Sequence, residues 1–136
     1  MKGFHTDIEE ATRENTFFRK VLYTSGHMQL VLMSLEPKQE IGLEIHADND
    51  QFIRCETGNG EFIIDGVTHE LADGVALIIP AGAEHNVINT SSEHALKLYT
   101  VYAPPHHKDG VIHRTKAEAD TSDEEFDGTT SETAEA

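Results

Sequence analysis

Cysteine is almost missing from this 136-residue chain: Cys55 stands alone, so no internal disulfide can staple the fold. A lone thiol fits a reducing compartment, and the cytoplasm is the expected location. Long hydrophobic runs are also missing. The longest, 75–80, falls far short of the ~20 residues a membrane-spanning helix needs, so no membrane association is expected. The opening stretch "MKGFHTDIEEATREN" turns charged at once and does not read as a secretory leader. Tryptophan is absent. Basic residues are scarce, with 10 Lys and Arg against 25 Asp and Glu. That balance excludes nucleic acid as an expected partner, because phosphates call for a basic surface. It also leaves no basic amphipathic segment for an anionic membrane.

The acidic charge is unevenly spread. Eight acids follow Ala117 with no Lys or Arg among them, about half of the net charge of −15. Residues 121–136 hold one aromatic, Phe126, and are expected to be mostly disordered. Residues 1–15 read as a polar N-terminal arm with a weak helical period. Between them, 16–105 has a different texture. Short runs rich in β-formers recur about every ten residues, separated by Gly, Asn and Asp turns. "TFFRKVLYT" and "MQLVLMSL" flank the break "SGH". "EFIIDGVTHEL" places Asp65-Gly66 between alternating runs, a strong hairpin signal. "ALKLYTVYA" is the last long strand before Pro104-Pro105. The rhythm is that of an all-β sandwich or barrel in one domain. Residues 106–120 are expected to run along that barrel, with a short helix at "TKAEAD" as one option.

Two stretches carry polar residues where apolar ones would be routine. "IGLEIHADNDQFIRCETGNGEF" brings Glu44, His46 and Gln51 into eight residues. Residues two apart on a strand share a face, roughly 6.6 Å apart along it. Glu44 and His46 can therefore reach one point, with Gln51 returning on the adjacent strand to face them. "GVALIIPAGAEHNVIN" follows an apolar strand with Pro80, Gly82, His85 and Asn89, and would bring His85 from a distant strand. The cluster reads either as a metal cage or as a hydrogen-bonded polar patch. Cys55 falls on the same strand face as Gln51 and Ile53, as a small core or lumen residue. His106 and His107 follow Pro104-Pro105 and read as solvated loop residues. Asp48, Asn49 and Asp50 read as turn residues. No nucleophile elbow, Walker loop or dinucleotide fingerprint is present.

The second stretch resembles the second signature of the cupin family at every fixed position: Gly74, Pro80, Gly82, His85 and Asn89. The first signature is present in altered form. Gly58 closes it, Gln51 stands where the family's Glu is usual, and His46 is the second His. Glu44 replaces the first His and Lys38 the opening Gly. The resemblance covers about 32–104 and extends to a group of small bacterial cupins labelled mannose-6-phosphate isomerase-like. It implies a double-stranded β-helix (jelly-roll) barrel. It further implies one divalent metal ion (Zn, Fe, Mn or Ni) held by Glu44, His46, Gln51 and His85, beside a small-molecule ligand. The activity it suggests is metal-dependent isomerisation of a sugar-like or carbonyl substrate. A metal-dependent dioxygenase, a non-catalytic binding or sensor module, and a cupin that has lost its metal remain open. A homodimer built on the first two strands is expected.

Overall fold

The computed structural model describes residues 1–133. Twelve elements follow one another among them: α1 (Ile8–Glu14), β1 (Arg19–Thr24), β2 (Gln29–Leu35), β3 (Glu44–Ile45), β4 (Asp50–Thr57), β5 (Gly60–Ile64), β6 (Val67–Leu71), β7 (Ala76–Ile79), β8 (Glu84–Asn89), β9 (Leu96–Ala103), β10 (Ile112–His113) and α2 (Lys116–Asp120). The strands form two antiparallel sheets, ordered β10-β1-β2-β9-β4-β7 and β3-β8-β5-β6. The fold is a jelly-roll β architecture. No helix among the described residues is long and apolar enough to cross a membrane.

Local chemistry accounts for the turns. Asp65 (φ 44°) and Gly66 (φ 82°) form the tight turn that joins β5 to β6, with Ile64 opposite Val67. Asp7 caps α1 by accepting from the Glu10 N–H at 3.0 Å, and Thr115 caps α2 in the same way. Lys38, at the position the signature usually gives to Gly, takes φ 65°. Its ammonium donates to the Thr90 carbonyl at 2.7 Å.

The interior is graded along the barrel, and this grading creates the site. On β9 the buried row runs Leu96, Leu98, Thr100, Tyr102. On β4, alongside, it runs Cys55, Ile53, Gln51, with Cys55 opposite Leu98 and Gln51 opposite Tyr102. On β8 it runs Asn89, Val87, His85. One end of the lumen is therefore a packed apolar core, with Phe62, Met33 and Leu35 fully buried. The other end is lined by polar groups. Asn89 closes the apolar end: its amide donates to the carbonyls of Leu35, Glu36 and His94 at 2.9–3.1 Å.

The C-terminal segment departs from the sequence expectation. Residues 121–133 follow a defined path along the barrel instead of standing free. Phe126 N–H donates to the His106 carbonyl, Ser131 exchanges bonds with Thr24, and Glu132 accepts from the Tyr23 hydroxyl. Composition could not reveal this, because strand edges and loop carbonyls supply the partners. Residues 134–136 of the expected tail lie outside the described residues. The short helix at 116–120 is present as α2.

Candidate metal centre

Glu44 and His85 are paired directly across β3 and β8, so the two signatures meet at a strand pair. His46 lies just past the end of β3. Its carbonyl accepts from the Gly82 N–H at 2.9 Å, which ties the turn before β8 to the chain after β3. Gly82 has φ 90°, a left-handed conformation that suits glycine. Gln51 is on β4, in the other sheet, beside Tyr102. His85 comes from a strand distant in the chain that pairs directly with β3. One expectation is corrected: Gln51 reaches the lumen from the opposite sheet, not from a strand adjacent to β3. A strand of two residues has too little alternation to announce its partner.

Donor atoms of Glu44, His46 and His85 all lie within 4.8 Å of one another, and Glu44 Oε2 is 3.8 Å from His46 Nε2. Ligand atoms sharing one ion through ~2.1 Å bonds stand about 3–3.5 Å apart. The cluster needs only a small contraction to hold an ion. His46 and His85 are buried, 8% and 3% exposed. His85 Nδ1 lies 3.1 Å from the Ala83 carbonyl. That contact assigns the proton to Nδ1 and leaves Nε2 as a free lone pair, the arrangement found in metal-binding histidines. Gln51 Nε2 donates to Thr100 Oγ1 at 3.0 Å. Among the described residues five buried side-chain atoms have no partner: His46 Nε2, His85 Nε2, Gln51 Oε1, His107 Nε2 and Arg19 Nε. Buried polar atoms are seldom left unpaired, and His46 and His85 both belong to the cluster with Glu44.

Electrostatics favour neutral imidazole. Burial, with His106, His85 and His107 nearby, lowers the His46 pKa to about 3. Burial raises that of Glu44, while Arg19 and His85 oppose the rise. Neutral His and an available carboxylate are the forms that bind divalent cations. The donor set thus fits a single metal ion.

Sequence reasoning missed the ceiling of the site. His106 and His107 are packed over it and not solvated as loop residues. The His106 ring is 4.3 Å from His46 and 5.2 Å from Tyr102, centroid to centroid. His107 is 6% exposed. Two amides hold this segment down. Asn49 Nδ2 donates to the Pro104 carbonyl at 2.6 Å. Gln29 Oε1 accepts from the N–H groups of His106 and His107, and its Nε2 donates to the His107 carbonyl. Glu124, from the segment read as disordered, faces His107 Nδ1 at 2.7 Å and accepts from the Lys108 N–H. Burial pushes the Glu124 carboxyl up, but these bonds prevail and hold it at about 2. Burial likewise brings His107 to about 4. At neutral pH a neutral His107 therefore donates Nδ1–H to an ionised Glu124. A cavity of about 220 Å³ opens here, walled by Arg19, Glu44, His106, His107 and Glu124 among others. Glu44 is the member of the cluster that reaches its wall.

Known proteins agree with this architecture. Residues 31–102 match the family model described as Cupin domain. The uncharacterized protein YrkC of Bacillus subtilis (strain 168) is 44% identical over 124 residues. That alignment takes in 87% of this chain and 66% of YrkC, so the chain spans just under two thirds of that relative. The uncharacterized protein L612 of Acanthamoeba polyphaga mimivirus is 46% identical over 109 residues, 78% of this chain and 68% of its own. The crystal structure of BH2720 from Bacillus halodurans superposes with a TM-score of 0.86 at 42% identity, covering 89% of this chain and 96% of that one. Both signature histidines and strands β3 to β8 sit within residues 31–102, and the chain belongs to the cupin family.

Proposed function

We propose that this cupin holds one divalent metal ion on Glu44, His46 and His85, with Gln51 Oε1 as the fourth donor, and presents it to a small molecule in the adjoining cavity. The observation that carries this reading is the set of three buried, unpartnered atoms on His46, His85 and Gln51. Two imidazoles, one carboxylate and one amide oxygen suit Zn, Fe, Mn or Ni.

Isomerisation of a sugar-like or carbonyl compound is the reaction this site would serve best, in keeping with the mannose-6-phosphate isomerase-like resemblance. When bound, the ion would supply a Lewis acid for a carbonyl or hydroxyl oxygen. The chain's own residues do the rest. Glu44 stands on the cavity wall. His106, whose pKa burial lowers, offers a neutral imidazole able to take up a proton. The Glu124–His107 pair, with Gln29 and Asn49 behind it, closes the mouth and limits water. A metal-dependent dioxygenase, or a binding module without catalysis, would use the same residues. A homodimer through the β1–β2 region, where Met28 remains half exposed, belongs to the same proposal; light scattering from a monomer at micromolar concentration would remove it.

Protein purified without an affinity tag is expected to carry a divalent ion by elemental analysis. A value near zero, with none regained after dialysis against Zn²⁺, Mn²⁺, Fe²⁺ or Ni²⁺, would refute the metal centre.

A further inference from the structure

Arg19 is the one buried guanidinium on the cavity wall, 8% exposed at the start of β1. Its Nη1 donates to His113 Nδ1 at 3.1 Å, and its guanidinium carbon stands 5.3 Å from the Phe18 ring centroid. Its Nε has no partner. No carboxylate among the described residues comes within 4.0 Å of its nitrogens. The acids around it are engaged elsewhere. Glu124 binds His107 and the Lys108 N–H, and Asp120 pairs with Lys116 at 2.9 Å. Glu44 faces His46.

Its charge favours the ionised forms of Glu44 and Glu124, yet no carboxylate bonds its guanidinium directly, and buried donors left unmet are costly. Arginine also presents a planar fork of donors that matches a carboxylate. The cavity is small, about 220 Å³, below the roughly 300–1,000 Å³ usual for drug-sized ligands. That size suits a small ligand better than a nucleotide or a disaccharide. Glu44, Asp120 and Glu124 on the same wall disfavour a second negative charge, so a phosphate dianion is a poorer match than a monoanion.

We infer that Arg19 is the receptor for the carboxylate of a small organic monoacid, bound in this cavity with its remaining polar atoms toward Glu44 and His106. The inference goes beyond the metal proposal and does not need it, because the guanidinium, not the metal cluster, supplies the counter-charge.

The test uses the full chain, both zinc-loaded and chelator-treated, with acetate, pyruvate and lactate as probes. Lactamide serves as the neutral match of lactate, and inorganic phosphate as the competing anion. Binding is followed by thermal shift and by NMR of the probe. At least one monoacid is expected to bind, with lactamide weaker than lactate and phosphate weaker than the best acid. Arg19→Gln is expected to weaken the acids about tenfold or more. It should still take up one Zn²⁺ per chain, so failure of the anion site and failure of the metal site read differently. The acid-to-amide comparison in the parent needs no variant and stands even if Arg19→Gln folds poorly. Equal binding of lactate and lactamide, undiminished acid binding by Arg19→Gln, stronger binding of phosphate, or no binding of any acid would each overturn the inference.

Discussion

At the scale of single residues, the balance at Gln51 decides much of the site's character. Its amide satisfies Thr100 and leaves its oxygen unpartnered beside Tyr102. Gln51→Glu would place a second carboxylate in the same buried lumen as Glu44. Without metal this must cost stability, since a buried charge without a partner is penalised by several kcal/mol unless it takes up a proton. With metal, the added negative charge should tighten binding. The expected result is a lower Tm in chelator and a larger Tm rise on adding Zn²⁺ than the parent shows. An unchanged Zn²⁺ response would mean that Gln51 does not face the ion. Position 89 carries a different lesson. Asn89 is a fixed residue of the family signature, yet it lies at the apolar end and binds the carbonyls of Leu35, at the end of β2, and of Glu36 and His94. Its role is to hold the barrel shut, not to touch a ligand.

At the scale of elements, the segment 121–133 acts as a strap over the polar end. Truncation after Asp120 would remove Glu124, leaving the buried His107 Nδ1–H without its acceptor. A lost hydrogen bond to a charged group is worth about 1.5–3 kcal/mol, so a Tm drop of several degrees is expected. Glu124→Gln should reproduce part of it. An unchanged Tm in both would show that the strap contributes nothing to stability. The strands themselves were largely legible. The alternation in β4 and β9, the Asp65-Gly66 turn and the run into Pro80 all follow from local chemistry. Three parts of the site were not. The pairing of two-residue β3 with β8 is a long-range choice without a periodic signal. The burial of His106 and His107 depends on Gln29 and Asn49, which are remote in sequence. The strap is held mainly by backbone and single side-chain bonds, while its composition resembles that of a disordered tail.

At the scale of the whole molecule, the neutral histidines of the polar end couple folding to pH. His46 and His107, at about 3 and about 4 in the fold, would titrate near ~6.5 in the unfolded chain. Below that pH the unfolded state binds protons that the folded state refuses, so stability falls as pH drops. Glu124, lowered from 4.5 to about 2, adds a further loss as the pH falls through that interval. For the metal-free protein the combined loss from pH 7.5 to 4.5 should reach a few kcal/mol, since each tenfold difference in proton affinity between the two states is worth about 1.4 kcal/mol. That corresponds to a Tm drop on the order of ten degrees, and a flat Tm over this range would contradict the buried neutral state. Bound metal should shift the loss to lower pH, because it favours unprotonated His46 and His85 in the folded state alone. Whether these residues form a metal centre or only a polar lining is tested most directly by calorimetric titration of the metal-free protein with Zn²⁺, beside Glu44→Gln and His85→Ala. The metal centre predicts one site per chain in the parent and a loss of about a hundredfold or more in each variant; variants that bind Zn²⁺ as tightly as the parent would contradict it.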